Sequence, residues 1–188
     1  MARPLSSDKR NTLIQATIQT IATQGLSATT ALIAKNAGVA TGSLFTYFES
    51  KETLLNATYL EIKRHIAQAV MPNFPQAEFA SQLLHLWNHY IDWGIEHREA
   101  RQTLQQLEVS TILTEETRQE AKQIFLPMQR MFSAAEADKL FFPPLEFAIK
   151  MMEAMVEATI QQILQEPTKR DIYKMLGFTM MWKAISHH

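Results

Sequence analysis

The sequence predicts an all-α protein with a small three-helix head and a larger helical body. Three observations lead there. Apolar residues recur at three- and four-residue steps along most of the 188 residues, and no stretch shows a strand-like alternation. The segment from Thr29 to Lys51, T-T-A-L-I-A-K-N-A-G-V-A-T-G-S-L-F-T-Y-F-E-S-K, reads as two short helices joined by a tight turn. The predicted helix from Leu145 to Gln165 is apolar over most of its circumference, which requires burial on two sides, and an apolar helix follows it.

In the Thr29–Lys51 segment, Thr29 or Thr30 caps the first helix, because a Thr hydroxyl accepts an N–H that the first turn leaves unpaired. Ile33, Ala34 and Ala37 share its inner face. Gly38 marks the turn, since glycine reaches positive φ at little steric cost. A second helix follows over about residues 41–48, with Leu44 and Phe48 inward, and Ala34 is small enough for two backbones to approach. Ala34, Gly38 and Leu44 have the spacing of a helix-turn-helix, whose second helix lies in a DNA major groove. Its outward residues Thr41, Gly42, Ser43, Thr46 and Tyr47 are small or polar and raise no steric wall against base edges. The same spacing also occurs in helix hairpins with no DNA role.

The first 55 or so residues resemble the tetracycline-repressor (TetR) family of bacterial transcription regulators. The similar parts are a leading helix ending T-Q-G-L, then T-T-x-x-I-A-K-x-A-G-V, then T-G-S-L-F-T-Y-F-x-S-K-E-x-L-L. The resemblance implies an N-terminal helix-turn-helix DNA-binding domain, residues 1–52, and a C-terminal helical ligand-binding and dimerisation domain, residues 53–188. It places Thr41 and Ser43 at base edges and Tyr47 and Lys51 at phosphates. Thr30 would cap its helix and touch the DNA backbone, and Gly42 would keep the helix close to the groove. Phe45 stands where the family most often has Tyr, leaving apolar contact with a thymine methyl or packing. Ala40 replaces a common Ser, so Thr41 is expected to cap the recognition helix instead. The implied function is a ligand-responsive regulator, by default a repressor, in which the ligand moves the fourth helix and changes the separation of the two heads. A homodimer would set two recognition helices ~34–36 Å apart on a pseudo-palindromic operator.

Bulk properties fit this reading. The chain is 46% hydrophobic and contains no Cys, which excludes disulfides and thiolate metal sites. No apolar run reaches membrane-spanning length and no signal-peptide core opens the chain, so a soluble, cytoplasmic protein is expected. Residues 1–70 carry seven Lys and Arg against four Asp and Glu, and the remainder eleven against fifteen. A basic head on an acidic body suits a DNA reader with a separate second domain.

In order, residues 1–6 are expected to form a loose arm with Arg3 near a phosphate. The first helix starts near Ser6 or Ser7, buries Ile14, Ile18, Ile21 and Ala22, and ends on Gly25 as a left-handed cap. Lys9 and Arg10 lie where they can touch the DNA backbone. Ser50 caps the fourth helix, which carries Leu54, Leu55, Tyr59, Ile62 and Ile66 into the second domain. Pro72 and Pro75 follow, then a helix over about 77–97 and a shorter piece over about 98–112. Thr114 opens the next helix in a T-x-x-T capping pattern, and Pro127 is expected to kink that helix and open a cavity. The two apolar helices, about 144–166 and 169–186, would pair with a second copy in a four-helix interface. His187 and His188 are either native or the remnant of a tag.

The candidate ligand wall is Trp87, Tyr90, Phe125, Met128, Met131 and Met152, aromatic and Met residues that suit a small apolar or amphipathic effector of unknown identity. His85 and His89 lie one helical turn apart with Asp92 and Glu96 following, a spacing that also serves metals. Structural or pocket-lining histidines are the better reading, so no metal and no cofactor are assigned. No catalytic motif is present, and no enzyme is expected. The rival reading is a helical small-molecule or metal-binding protein, or an enzyme, without a DNA role.

Overall fold

The computed structural model describes residues 6–141 and 143–186. The expectations for Arg3, His187 and His188 lie outside them. Ten α-helices follow in order: α1 Ser7–Gln24, α2 Thr30–Asn36, α3 Thr41–Tyr47, α4 Lys51–Val70, α5 Phe79–Glu96, α6 Arg98–Glu108, α7 Glu115–Ile124, α8 Leu126–Ala137, α9 Leu145–Gln165 and α10 Arg170–Ile185. A single 3-10 turn, Pro167–Lys169, joins the last two. Among the described residues the only β-type pairing is an isolated bridge, Phe141 with Ser186. Among the described residues no helix is long and apolar enough to cross a membrane. The chain forms two compact units, Met1–His65 with His97–Ile124, and Ile66–Glu96 with Phe125–His188. These units divide the chain by packing, whereas the boundary expected at 52/53 divides it by role.

In the first unit, the spacing of Leu13, Ile14, Ile18 and Ile21 makes α1 amphipathic, and all four are buried. Helix α1 packs against α2 and α6. The α6 contact is tied by polar bonds: Thr103 Oγ1 donates to the Ile18 carbonyl at 2.9 Å and Gln106 Nε2 to that of Ile21 at 3.2 Å. Gly25 ends α1 with φ 75° and ψ −178°, so it is an extended, positive-φ residue rather than the left-handed cap expected. Buried Asn56 on α4 donates to the carbonyls of Glu52 and Ile112 at 2.8 and 3.0 Å, and its Oδ1 accepts from the Thr114 amide at 3.0 Å. One side chain thereby satisfies two backbone groups of the α6–α7 loop. Thr114 Oγ1 accepts from the Thr117 amide at 3.2 Å, as the T-x-x-T pattern requires.

Pro127 does not kink one helix; the chain breaks there into α7 and α8. Phe125 leaves helical geometry, at φ −106° and ψ 22°, and Pro127 falls in the first turn of α8. A proline there has no N–H to spend, whereas in mid-helix it loses a bond and collides with the preceding turn. The shorter piece expected to reach residue 112 stops at Glu108.

In the second unit, α5, α9 and α10 pack together around Leu83, Trp87, Ile91, Ala148, Met152, Ile160, Ile163, Met181 and Ile185. Phe79 meets Phe132 and Phe141 edge-on, and Phe178 stacks on Trp182. A close approach occurs at Gly177. A Cβ there would lie 2.5 Å from Thr159 Oγ1 and 2.8 Å from Trp87 Cζ2. Trp87 also donates its Nε1–H to the Lys174 carbonyl at 2.9 Å, which fixes the ring against α10.

Gly177→Ala is therefore expected to destabilise the protein. The gain of ~1 kcal/mol in helix propensity is outweighed by an overpacking cost of ~1–3 kcal/mol. A urea titration followed by circular dichroism checks the sign; an unchanged or raised midpoint would contradict the close approach.

Candidate nucleic-acid interface

Helix α3 is seven residues long and buries one of its side chains, Leu44. Thr41, Gly42, Ser43 and Thr46 are exposed, Phe45 is 45% exposed, and Tyr47 is half-buried. Phe48, at the C-cap, is buried and donates its amide N–H to the Leu44 carbonyl at 3.0 Å. The helix is thus anchored along one line and open over the rest. A Cβ on Gly42 would meet nothing within 4 Å, so no packing inside the chain demands glycine there.

The turn before α3 follows the sequence. Thr29 Oγ1 accepts from the Leu32 amide at 3.2 Å and caps α2. Thr30, expected as an alternative cap, is instead the first residue of the helix. Gly38 has φ 68°, and the Val39 amide returns to the Ala34 carbonyl at 3.0 Å. Ala34 is fully buried, as a close helix crossing requires. Thr41 does not cap α3. Ala40 holds the cap position without a side-chain bond, and its carbonyl receives the amides of Ser43 and Leu44 at 2.9 and 3.3 Å.

The cations around α3 have unequal surroundings. Lys51, at the start of α4, donates from Nζ to the Leu26 carbonyl at 2.6 Å. Two of its three N–H groups remain for another acceptor. Ser50 caps α4 by accepting from the Thr53 amide at 3.0 Å. The guanidinium of Arg10 lies over the Phe48 ring, 5.3 Å from its centroid. That pairing crosses from α1 to the end of α3 and leaves no trace in local periodicity, so sequence spacing did not disclose it.

In the second unit the six proposed ligand residues divide. Trp87 and Met152 are core side chains, and Tyr90 packs partly buried against that core. Phe125, Met128 and Met131 are half-buried around α8. A separate open groove of about 490 Å³ runs along α5 and α10, lined by Leu84, His89, Asp92, Lys174, Met175 and Phe178 among others, and by none of the six. His85 and His89 pack ring to ring with centroids 4.0 Å apart, and His85 Nε2 lies 3.0 Å from the Val70 carbonyl. Burial, with His85 and Lys174 nearby, lowers the pKa of His89. Asp92 accepts from Arg170 at 2.5 Å and from Lys174 at 2.6 Å. Among the described residues no three His, Asp or Glu are grouped to hold a metal ion.

Residues 13–58 match the family model of bacterial regulatory proteins, tetR family. A stretch of 63 residues is 46% identical to the HTH-type transcriptional regulator BetI of Stenotrophomonas maltophilia, covering 33% of this chain and 32% of BetI. A TetR family transcription regulator from Marinobacter aquaeolei VT8 superposes with a TM-score of 0.86 at 25% identity, covering 96% of both chains. Residues 13–58 are a tetR-family segment, and the whole chain shares the fold of a TetR family regulator. A further TetR-family transcriptional regulator, from Haemophilus influenzae, shares the fold with a TM-score of 0.75 at 18% identity, covering 98% of this chain and 100% of that one. The chain spans about a third of the length of the curated relatives it matches. These relatives are named as transcription regulators and none as an enzyme.

Asp92 gives the second unit a pH signature. Burial alone would raise its pKa, but the hydrogen bonds and charges of Lys174 and Arg170 outweigh it and hold the carboxyl below its ordinary value. The folded state then binds this proton less readily than the unfolded chain. The contribution is complete above the unfolded pKa of about 4 and is lost as pH falls through the lower folded value. Asp92→Asn is expected to lower the denaturation midpoint at neutral pH, with the gap from wild type closing below about pH 4. A gap that stays constant with pH would exclude the ion cluster as its source.

Proposed function

We propose that this chain is a ligand-responsive transcriptional repressor that binds a pseudo-palindromic operator as a homodimer. The reading is carried by α3, a helix at the second position of a helix-turn-helix whose only buried side chain is Leu44. Such a face costs little to bring against a duplex, because small and hydroxylated side chains fit the major groove without displacing protein contacts. Residues 1–52 read DNA and residues 53–188 bind the effector and pair the subunits. Thr41 and Ser43 meet base edges, Phe45 packs on a thymine methyl, and Gly42 and Thr46 let the helix lie close. Tyr47, Lys51 and Thr30 serve the phosphate backbone. The protein acts in the cytoplasm.

Pairing through α9 and α10 is supported by an apolar face left open on these helices. Phe147 is 55% exposed, Ile172 51%, Met175 61%, Leu176 47% and Met180 64%. Several exposed large apolar side chains on two helices packed together suit an isologous contact with a second copy. The effector is a small apolar or amphipathic molecule, for which Tyr90, Phe125, Met128 and Met131 are the better-placed wall residues, with Trp87 and Met152 supporting them from the core.

Retardation of the DNA upstream of the chain's own gene is the first test. Lys51→Ala and Tyr47→Ala are expected to weaken binding to all sequences alike, and Lys51→Ala to lower the salt slope by ~0.9 per subunit. Thr41 or Ser43 substitutions instead change base preference, by ~1–3 kcal/mol at a contacted pair. A duplex bound equally well by Lys51→Ala at every salt concentration would remove that residue from the interface.

Met180→Glu and Leu176→Glu are expected to convert a dimer to a monomer in sedimentation velocity, since a buried unpaired carboxylate is strongly disfavoured. A dimer that persists in both variants would place the interface elsewhere.

A further inference from the structure

The cations of the first unit fall into two groups. On α4, Lys63 pairs with Glu108 at 2.6 Å and Arg64 with Glu120 at 2.6 Å. On α1 and α2, Lys9, Arg10 and Lys35 have no carboxylate within ion-pair distance among the described residues. Of these three, Lys9 and Lys35 are exposed and held by nothing but their own helices. Arg10 is different. It is half-buried in the first turns of α1, with its backbone amide bonded to the Ser6 carbonyl at 3.2 Å. Its guanidinium is seated over Phe48.

Phe48 is fixed from both directions. It is 3% exposed, and its amide closes the last turn of α3. The ring therefore carries the position of the α3 terminus to Arg10. A guanidinium seated over an aromatic ring spends no N–H on a hydrogen-bond acceptor there, so its donors remain for another partner. Those N–H groups form a rigid fork that matches two oxygens of one phosphate, which an ammonium group cannot do. Among the described residues no carboxylate lies within ion-pair distance of it. The side chain is already ordered, so it loses less freedom on binding than an extended surface lysine.

We propose that Arg10 is a phosphate-contacting residue of the DNA interface and that Phe48 is its positioning residue. The inference rests on the DNA-binding reading above and adds a contact from outside the helix-turn-helix. It also separates two kinds of cation at the end of α3. Lys51 is braced by a carbonyl and acts as a point charge, whereas Arg10 is braced by a ring and presents a fork.

The test uses the full-length protein and two labelled duplexes of equal length, one from the DNA upstream of its own gene and one of random sequence. Affinity is measured across a salt series for wild type, Arg10→Gln, Arg10→Lys and Arg64→Gln. Arg10→Gln is expected to lose ~0.9 from the salt slope per subunit on both duplexes. Arg10→Lys keeps the slope but binds more weakly than wild type, because the charge remains and the fork does not. Arg64→Gln, whose parent residue is paired with Glu120, keeps the wild-type slope. Independently of any variant, bound duplex is expected to protect Arg10 of the wild type from an arginine-specific dicarbonyl reagent, read by peptide mass spectrometry. Protection holds the proposal to account even where a variant fails to fold. An unchanged slope in folded Arg10→Gln, or Arg10 modified equally with and without duplex, overturns the proposal while leaving the DNA reading in place. A wild type that binds neither duplex overturns both.

Discussion

A seven-residue helix that turns most of its surface outward cannot hold its own shape. Forming a first helical turn fixes several dihedrals for one hydrogen bond, and seven residues offer too few further bonds to recover that cost. Helix α3 has the added handicap of a single buried side chain and no side-chain cap. Its conformation is therefore imposed from outside, by the burial of Leu44 and Phe48 and by packing against α2. Leu13, Ile14 and Ile18 of α1 and Leu54, Leu55 and Ile62 of α4 are buried and form the apolar platform of the first unit.

The platform is not purely apolar. Thr17 and Thr58 are buried and bond carbonyls four residues back in their own helices, and Thr20 does so while also accepting from Asn36 Nδ2 at 2.9 Å. A hydroxyl satisfied within its own turn can be buried without a partner elsewhere, which lets polar residues fill tight places between helices. Thr103, Gln106 and Asn56 do the opposite and reach across to carbonyls and an amide of other elements. These bonds have directions and lengths, so they set a register that apolar contact alone would leave loose. Among the described residues no buried side-chain nitrogen or oxygen lacks a partner.

Features that depend on a few neighbouring residues were legible in the sequence. The Thr29 cap, the Gly38 turn, the small Ala34 and the inward pair Leu44 and Phe48 each follow from a local rule, and the structure bears each out. So do the bounds of α9 and α10 and the excess of apolar surface on them. Features that depend on distant elements were not. The docking of α6 on α1 is made by Thr103 and Gln106, whose polarity reads as a solvent face. The break at Pro127 was read as a kink because proline disfavours both, and only packing decides which occurs. The His85–Glu96 series looked like a possible site from its spacing, yet Asp92 is taken by Arg170 and Lys174 from a helix almost eighty residues away in sequence. Whether an aromatic or Met side chain lines a cavity or fills a core depends on volume, which periodicity does not encode.

The placement of the three indoles has a practical side. Trp87, Trp93 and Trp182 all belong to the second compact unit, two of them buried and one half-buried. The first unit contains none, so intrinsic emission excited on the red edge of the protein band is a private reporter of the body. Melting of the head would pass unseen in that channel while far-ultraviolet ellipticity fell. Comparing the two signals thus resolves whether the halves of the molecule come apart in one step or two.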